Sequence, residues 1–292
     1  MTTALDTPSG ASRRLSRFLD ARPRVRLGAL LAGPALWIVV LYFGSLAALF
    51  LASFYRLNED ATAITEKLGT SNYHELLTAS VYRDIALRTI GVAVLVTIID
   101  IVLALPIAFF IAKIAKPRVR TLLITAVLVP LWGSYLVKTF AWRAILGAPG
   151  GVLDKTFGSS PGYGLPAVVI VLAYLWLPFM IVPVYAGLDR LPDSLLEASN
   201  DLGAGFWLTC RTVVIPMILP AIVAGSVFTF SLSMGDYIAV ALVGGPTQMI
   251  GSVVYANFAS NLPFAAAFAT VPVLVMVVYL LGIRRTGALE NL

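Results

Sequence analysis

Residues 27–55 carry no charged side chain, and neither do residues 237–283. An apolar run of about 20 residues is long enough to cross the hydrocarbon core of a bilayer as a helix. Inside lipid, every backbone N–H and C=O must be bonded within the protein, which leaves runs of this length little choice but the helix. Charged residues make up only 12% of the 292, against about 25% in soluble domains. The chain is therefore expected to be an all-α integral membrane protein. Its formal net charge of +6 would suit nucleic acid. However, the basic residues flank the apolar runs, where orientation in the membrane accounts for them and no nucleic-acid partner is needed.

Six spans are expected, near residues 28–53, 88–112, 121–142, 165–187, 212–235 and 264–283. Gly244-Gly245-Pro246-Thr247 reads as a turn. It sets a short apolar segment near 248–260 apart from the last span. The organisation is then a basic tail (1–26), a first span with an outer loop (27–84), a core of five spans (85–283) and a short tail (284–292). Six spans put both ends on one side. Of the 21 Lys and Arg, six lie in the N-terminal tail, four in 113–120, two in 188–211 and two at the C-terminus. The positive-inside rule therefore makes both termini and the 188–211 loop cytoplasmic.

Several chemistries are excluded or weak. Cys210 is the single cysteine, so no internal disulfide can form. His74 is the single histidine and reads as a plain surface residue, and no metal site is expected. Gly158-Ser159-Ser160-Pro161-Gly162 matches a nucleophile elbow in spelling only, because no strand precedes it and no helix follows directly. No G-x-x-x-x-G-K-[ST] loop is present, so the chain has no P-loop route to ATP. The apolar run after the basic N-terminus is too long for the core of a cleavable signal peptide.

The most polar stretch of the C-terminal half is residues 195–220, LLEASNDLGAGFWLTCRTVVIPMILP. Asp193, Glu197 and Asp201 recur every four residues there, on the side where basic residues are the default. Ser194 and Glu197 fit a capping box, and Gly203 supplies a left-handed stop. This predicts a two-turn helix over 195–202, with Leu195, Ala198 and Leu202 on its packed face. Glu197 and Asp201 are like charges four apart, repelling by a few tenths of a kcal/mol in isolation. A basic surface opposite them would reverse that sign. Spacing alone leaves a solvated loop helix as an equal alternative.

Glu197-Ala198-Ser199, Gly203 six residues after the glutamate, and Val213-x-Ile215-Pro216 resemble the EAA loop of ABC-importer permeases. Ser199 stands for the second alanine of that motif, Val213 for isoleucine and Ile215 for leucine. The segments LRTIGVAVLVTIIDIVLALPIAFFIA, VPLWGSYLVKTFAWRAIL and SMGDYIAVALVGGPTQMIGSVVYANF are similar to the spermidine/putrescine branch of these permeases. The resemblance covers about residues 85–283. It implies a type I ABC permease fold in a bacterial plasma membrane, with a cytoplasmic coupling helix made by Glu197, Ala198, Ser199, Asp201 and Gly203 and joined to the fifth span at Pro216. It also implies two copies of an ABC ATPase subunit that carry ATP and Mg2+, a second homologous permease subunit and an extracellular solute-binding protein. The chain itself would bind no cofactor. Alternating access would follow, with ATP closing the motor and the docked helix tilting the spans.

A cationic cargo directs attention to carboxylates and aromatic rings. Asp100 falls in the middle of the second span, where a carboxylate is costly and usually faces the bundle interior. An ordinary hydrogen-bonded role within the bundle is an equal reading. Asp236 ends the fifth span beside Tyr237. Trp132, Tyr135, Trp142 and Tyr174 could hold an amine by cation–π contact, or could be interfacial belts. Lys138 and Arg143 are expected to snorkel to the interface. The same fold could import ferric iron, sulfate or a phosphonate. An ion-coupled secondary transporter would need coupling-ion residues and usually an inverted repeat, which the sequence lacks.

Overall fold

The computed structural model describes residues 23–58, 63–65, 67–147 and 149–284. Most of the basic tail 1–26 and of the short tail 284–292 lies outside these, as do Glu59, Asp60 and Glu66 of the outer loop.

Among the described residues five helices are long and apolar enough to cross a membrane: Leu30–Ala52, Ser80–Ile114, Leu165–Asp189, Phe206–Gly235 and Leu262–Arg284. Pro117–Trp132 and Tyr135–Leu146 meet the same test only together, as a bent pair whose axes differ by 96°, and make a sixth crossing where the pair is counted as one span. The continuous third span expected over 121–142 is thus corrected to two helices. Proline and glycine explain the break. Gly133 leaves the helix with extended backbone, and Pro130 cannot donate to the helix ladder. The Pro130 carbonyl accepts instead from the Gly133 N–H at 3.2 Å and from Lys138 Nζ at 3.0 Å. Lys138 therefore caps the break rather than snorkelling.

Residues 1–52 and 53–292 are two separate units. In the first, the described residues 30–51 are exposed along the whole helix, and a π-helical turn, Ile38–Phe43, interrupts its middle. The second unit is built on the fourth span, which packs against the second and fifth. Hydrophobic driving force is weak between helices in lipid, so close packing of small residues takes over. Ala104, Ala108, Ala167 and Ala173 are buried at these contacts. At Gly225 a β-carbon would meet Met180 Sδ at 2.6 Å and Met180 Cα at 3.2 Å. Gly225→Val should therefore force the fourth and fifth spans apart, at a cost of about 1–3 kcal/mol. A lowered unfolding midpoint in detergent would show it, and an unchanged midpoint would mean that the contact is looser than described.

Polar groups within the bundle mostly pair with one another, as lipid requires. Ser226 and Tyr279 share a hydrogen bond of 2.6 Å, and Thr89 Oγ1 accepts from the Ile250 N–H at 3.0 Å. The latter bond holds the short helix Ile250–Asn257 against the second span. That helix is the apolar segment expected near 248–260. The turn before it is also as expected, with the Thr247 N–H bonded to the Gly244 carbonyl at 2.9 Å and Gly245 at φ 56°. Among the described residues the only strands are Arg56–Leu57 and Ile64–Thr65, an antiparallel pair in the outer loop.

Candidate functional site

The loop between the fourth and fifth spans forms a helix, Asp193–Asp201. It begins earlier than expected, and the Ser194–Glu197 capping box is corrected. Ser194 is already inside the helix, the residue before the helix is Pro192, and no side chain caps the start. Asp193 occupies the first turn, where a negative charge complements the helix dipole. The other end is as expected. Gly203 sits at φ 78°. Its N–H bonds the Asn200 carbonyl at 2.8 Å and the Ala204 N–H bonds the Ser199 carbonyl at 3.1 Å. Those two bonds are a Schellman motif, which a residue with a β-carbon would close less readily.

The packed face differs from the expected one. Ser199 is buried and Leu196 half-buried, whereas Leu195, Ala198 and Leu202 point outward, Leu202 being 88% exposed. Ser199 Oγ shares a buried hydrogen bond of 2.8 Å with Thr209 Oγ1 on the fifth span. Leu196 joins Leu191, Val214 and Ile215 in one apolar cluster. A short helix is marginal alone in water, and these contacts hold it to the bundle. The outward face therefore combines three apolar side chains with Glu197 and Asp201. Both acids are exposed, and neither has an ion-pair partner among the described residues. Pro216 follows in the first turn of Ile215–Gly235. A π-helical turn, Cys210–Val214, lies just before it and gives room for a ring that would otherwise press on the carbonyl four residues back.

At the other end of the fourth and fifth spans a cleft of about 230 Å³ is lined by Tyr135, Trp176, Leu232, Gly235, Asp236, Tyr237 and Ile238. Asp236 is 7% exposed. One of its oxygens accepts from the Tyr135 hydroxyl and the other from the Ala239 N–H at 2.8 Å. Tyr135 stacks on Trp176 at 5.9 Å between centroids, and Tyr237 stacks on Tyr255 at 4.6 Å. A carboxylate beside two aromatic faces can hold an organic cation by charge and cation–π attraction. A second cleft of about 500 Å³ lies at the loop-helix end of the same two spans, lined among others by Pro183, Arg190, Pro216 and Pro220.

The structure thus brings Tyr135, Asp236 and Tyr237 together. Trp142 and Tyr174 form a separate edge-on pair at 5.3 Å. Trp132 is apart from both, 92% exposed at the break of the third span. Asp100 is fully buried, lines neither cleft, and has no partner for either carboxylate oxygen.

Sequence reasoning missed Trp176, Lys113 and Thr209. Trp176 looked like one apolar residue among many, and only the bend of the third span places Tyr135 on it. Lys113 looked like a loop charge, yet its ammonium donates to the Leu191 carbonyl and to Asp193 Oδ1, each at 2.6 Å. A weak signal for Thr209 was Ser199 itself, a hydroxyl where the motif has a methyl group.

A family model described as "Binding-protein-dependent transport system inner membrane component" matches residues 85–285. The Inner membrane ABC transporter permease protein YdcU of Escherichia coli (strain K12) is 40% identical over 300 residues, covering 96% of this chain and 95% of that protein. The Spermidine/putrescine transport system permease protein PotB of the same strain is 31% identical over 267 residues, covering 87% of this chain and 95% of PotB. Among solved structures, a bacterial ABC transporter involved in the import of the acidic polysaccharide alginate superposes with a TM-score of 0.72 at 16% identity, over 94% of this chain and 98% of that one. A bacterial alginate ABC transporter in complex with alginate pentasaccharide-bound periplasmic protein gives 0.71 at 16% identity, over 90% of this chain and 93% of that one. At such identity the likeness speaks for the fold alone. The chain belongs to the binding-protein-dependent transport system inner membrane components, multi-pass inner-membrane proteins, and has the type I ABC permease fold.

Proposed function

We propose that this chain is the membrane-spanning permease subunit of an ATP-driven importer and that its cargo is a polyamine. The observation that carries the reading is the exposed acidic face of Asp193–Asp201, held to the bundle through Ser199 and Leu196 and left without ion-pair partners of its own at Glu197 and Asp201. A surface of that kind suits a basic groove on a soluble motor. The chain has no P-loop, so its partners are two copies of an ABC ATPase, which hold ATP and Mg2+, together with a second homologous permease and an extracellular binding protein. Both termini and the loop helix lie in the cytoplasm. The permease domain is residues 85–283, and no cofactor binds to this chain.

Transport then proceeds by alternating access around the fourth and fifth spans. The coupling helix, with Glu197, Ala198, Ser199, Asp201 and Gly203, moves the fifth span through Pro216. The two clefts at opposite ends of that helix pair support such a path. Solute enters beside Asp236, Tyr135 and Tyr237. Asp100, buried in the middle of the second span and lining neither cleft here, would join the path only as the spans part during the cycle, with the Trp142–Tyr174 pair beside the route. The polyamine cargo is supported by the relationship to PotB and by the buried carboxylate Asp236 in the outer cleft, where no basic residue is part of the lining.

Asp236→Asn should raise the apparent KM for spermidine uptake severalfold while leaving the protein level near that of the wild type, because the amide oxygen still accepts from the Ala239 N–H and the amide NH2 can donate to the Tyr135 hydroxyl oxygen. Uptake kinetics in cells carrying the whole transporter would measure it. An unchanged KM would remove Asp236 from the path, and competition by sulfate or phosphonate but not by putrescine would overturn the cargo.

A further inference from the structure

We propose that Lys113 is a positioning residue that ties the start of the loop helix to the second span, so that displacing the helix moves that span with it. The inference rests on the coupling role proposed above for Asp193–Asp201.

Lys113 lies in the last turn of the second span, with its side chain only 9% exposed. Burying an ammonium is costly unless it is paired and hydrogen-bonded. Here its two 2.6 Å bonds straddle Pro192, one to the carbonyl of Leu191 and one to the carboxylate of Asp193. The ammonium therefore grips the turn where the fourth span hands over to the loop helix. Asp193 is 75% exposed, and an exposed ion pair would contribute little. The part-buried bond to the carbonyl of Leu191, a residue only 4% exposed, makes the grip specific.

Arg120 ties the third span to the end of the fourth span, just before that turn. Its Nε donates to the Tyr185 hydroxyl at 2.8 Å, it pairs with Asp189, and its guanidinium lies 5.3 Å from the centroid of the Tyr185 ring. The other two basic residues of this turn, Lys116 and Arg118, are exposed and pair with no acid among the described residues. Orientation in the membrane needs charge only. Two of the four cations instead converge on residues 185–193, and that geometry calls for a mechanical reason. The far end of the helix is joined to the fifth span by Ser199 and Thr209. The loop helix is thus held at its start by the second span through Lys113 and at its end by the fifth.

The test uses the whole transporter in proteoliposomes, with its ATPase subunits and binding protein, and reads spermidine taken up per ATP hydrolysed. Lys113→Met keeps the apolar stem and removes both bonds. ATPase subunits should still co-purify and hydrolysis should continue, while uptake per ATP falls about tenfold, within the usual range of coupling between sites. Lys113→Arg should restore most of it. Asp193→Ala, at an exposed position, should give a smaller fall and decides the matter should Lys113→Met not fold. An unchanged uptake per ATP in a folded variant would overturn the inference, and so would a parallel loss of uptake and hydrolysis. Failure of ATPase subunits to co-purify with the wild-type chain would instead overturn the coupling reading, and this inference with it.

Discussion

Glu197→Lys is expected to abolish ATP-driven uptake while leaving the chain folded and in the membrane. Glu197 is exposed on the outward face of its helix and has no ion-pair partner among the described residues. Its replacement therefore disturbs no contact within the described fold, and its effect on stability should be within about 0.5 kcal/mol, as for surface substitutions generally. Against a basic groove, the change replaces an attraction by a repulsion, and like charges brought together at an interface cost several kcal/mol. Uptake should fall by at least about a hundredfold, the equivalent of about 2.7 kcal/mol. ATP hydrolysis by the partner should lose its response to the binding protein. The two quantities to compare are protein level in the membrane and uptake rate. Equal loss of both would indicate misfolding, and preserved uptake would remove the helix from the coupling role.

The second large effect is expected at Asp100. A carboxylate at the middle of a span costs about 2.5–3.5 kcal/mol on insertion scales, and here neither oxygen has a partner. Asp100→Asn replaces a side chain that can ionise by one that cannot, at nearly equal volume. The variant should be more stable than the wild type by about 1 kcal/mol, part of that insertion cost. It should nonetheless import a polyamine at least about thirtyfold more slowly, the equivalent of losing about 2 kcal/mol of charge pairing with a passing ammonium. The two opposite signs make the prediction sharp. A structural aspartate would lose stability and uptake together, and an idle one would leave uptake unchanged. Thermal unfolding in detergent and uptake in cells read the two signs separately.

The spans were legible because lipid permits so few solutions. Uncharged runs such as 27–55 and 237–283 had to be largely helical, broken only at turn residues such as those at 244–247, and five of the six expected spans are continuous among the described residues. The third was misread because hydropathy registers length and not direction. Gly133-Ser134 turns the chain by 96° without adding a charge. That same turn decides the outer cleft, since it swings Tyr135 onto Asp236 and Trp176, a contact across 101 residues for the first pair. The end of the coupling helix was readable from Gly203, because a left-handed stop is a local demand. Its start and its packed face were not. Both depend on partners distant in sequence: Lys113 at the turn around Pro192, and Thr209 opposite Ser199. Apolar periodicity assigned Leu195, Ala198 and Leu202 to the inside, yet a single buried hydroxyl pair turns that face outward. Exposed apolar side chains beside unpaired acids are what a docking surface needs, and the sequence pattern alone had hidden it.

The most direct test is uptake of labelled spermidine into proteoliposomes that hold this chain with its ATPase subunits, second permease and binding protein. Coupling through the loop helix predicts uptake that needs both ATP and the binding protein, and that vanishes in Glu197→Lys while ATP is still hydrolysed. Uptake that continues without ATP and follows an imposed ion gradient, unaffected by Glu197→Lys, would contradict it.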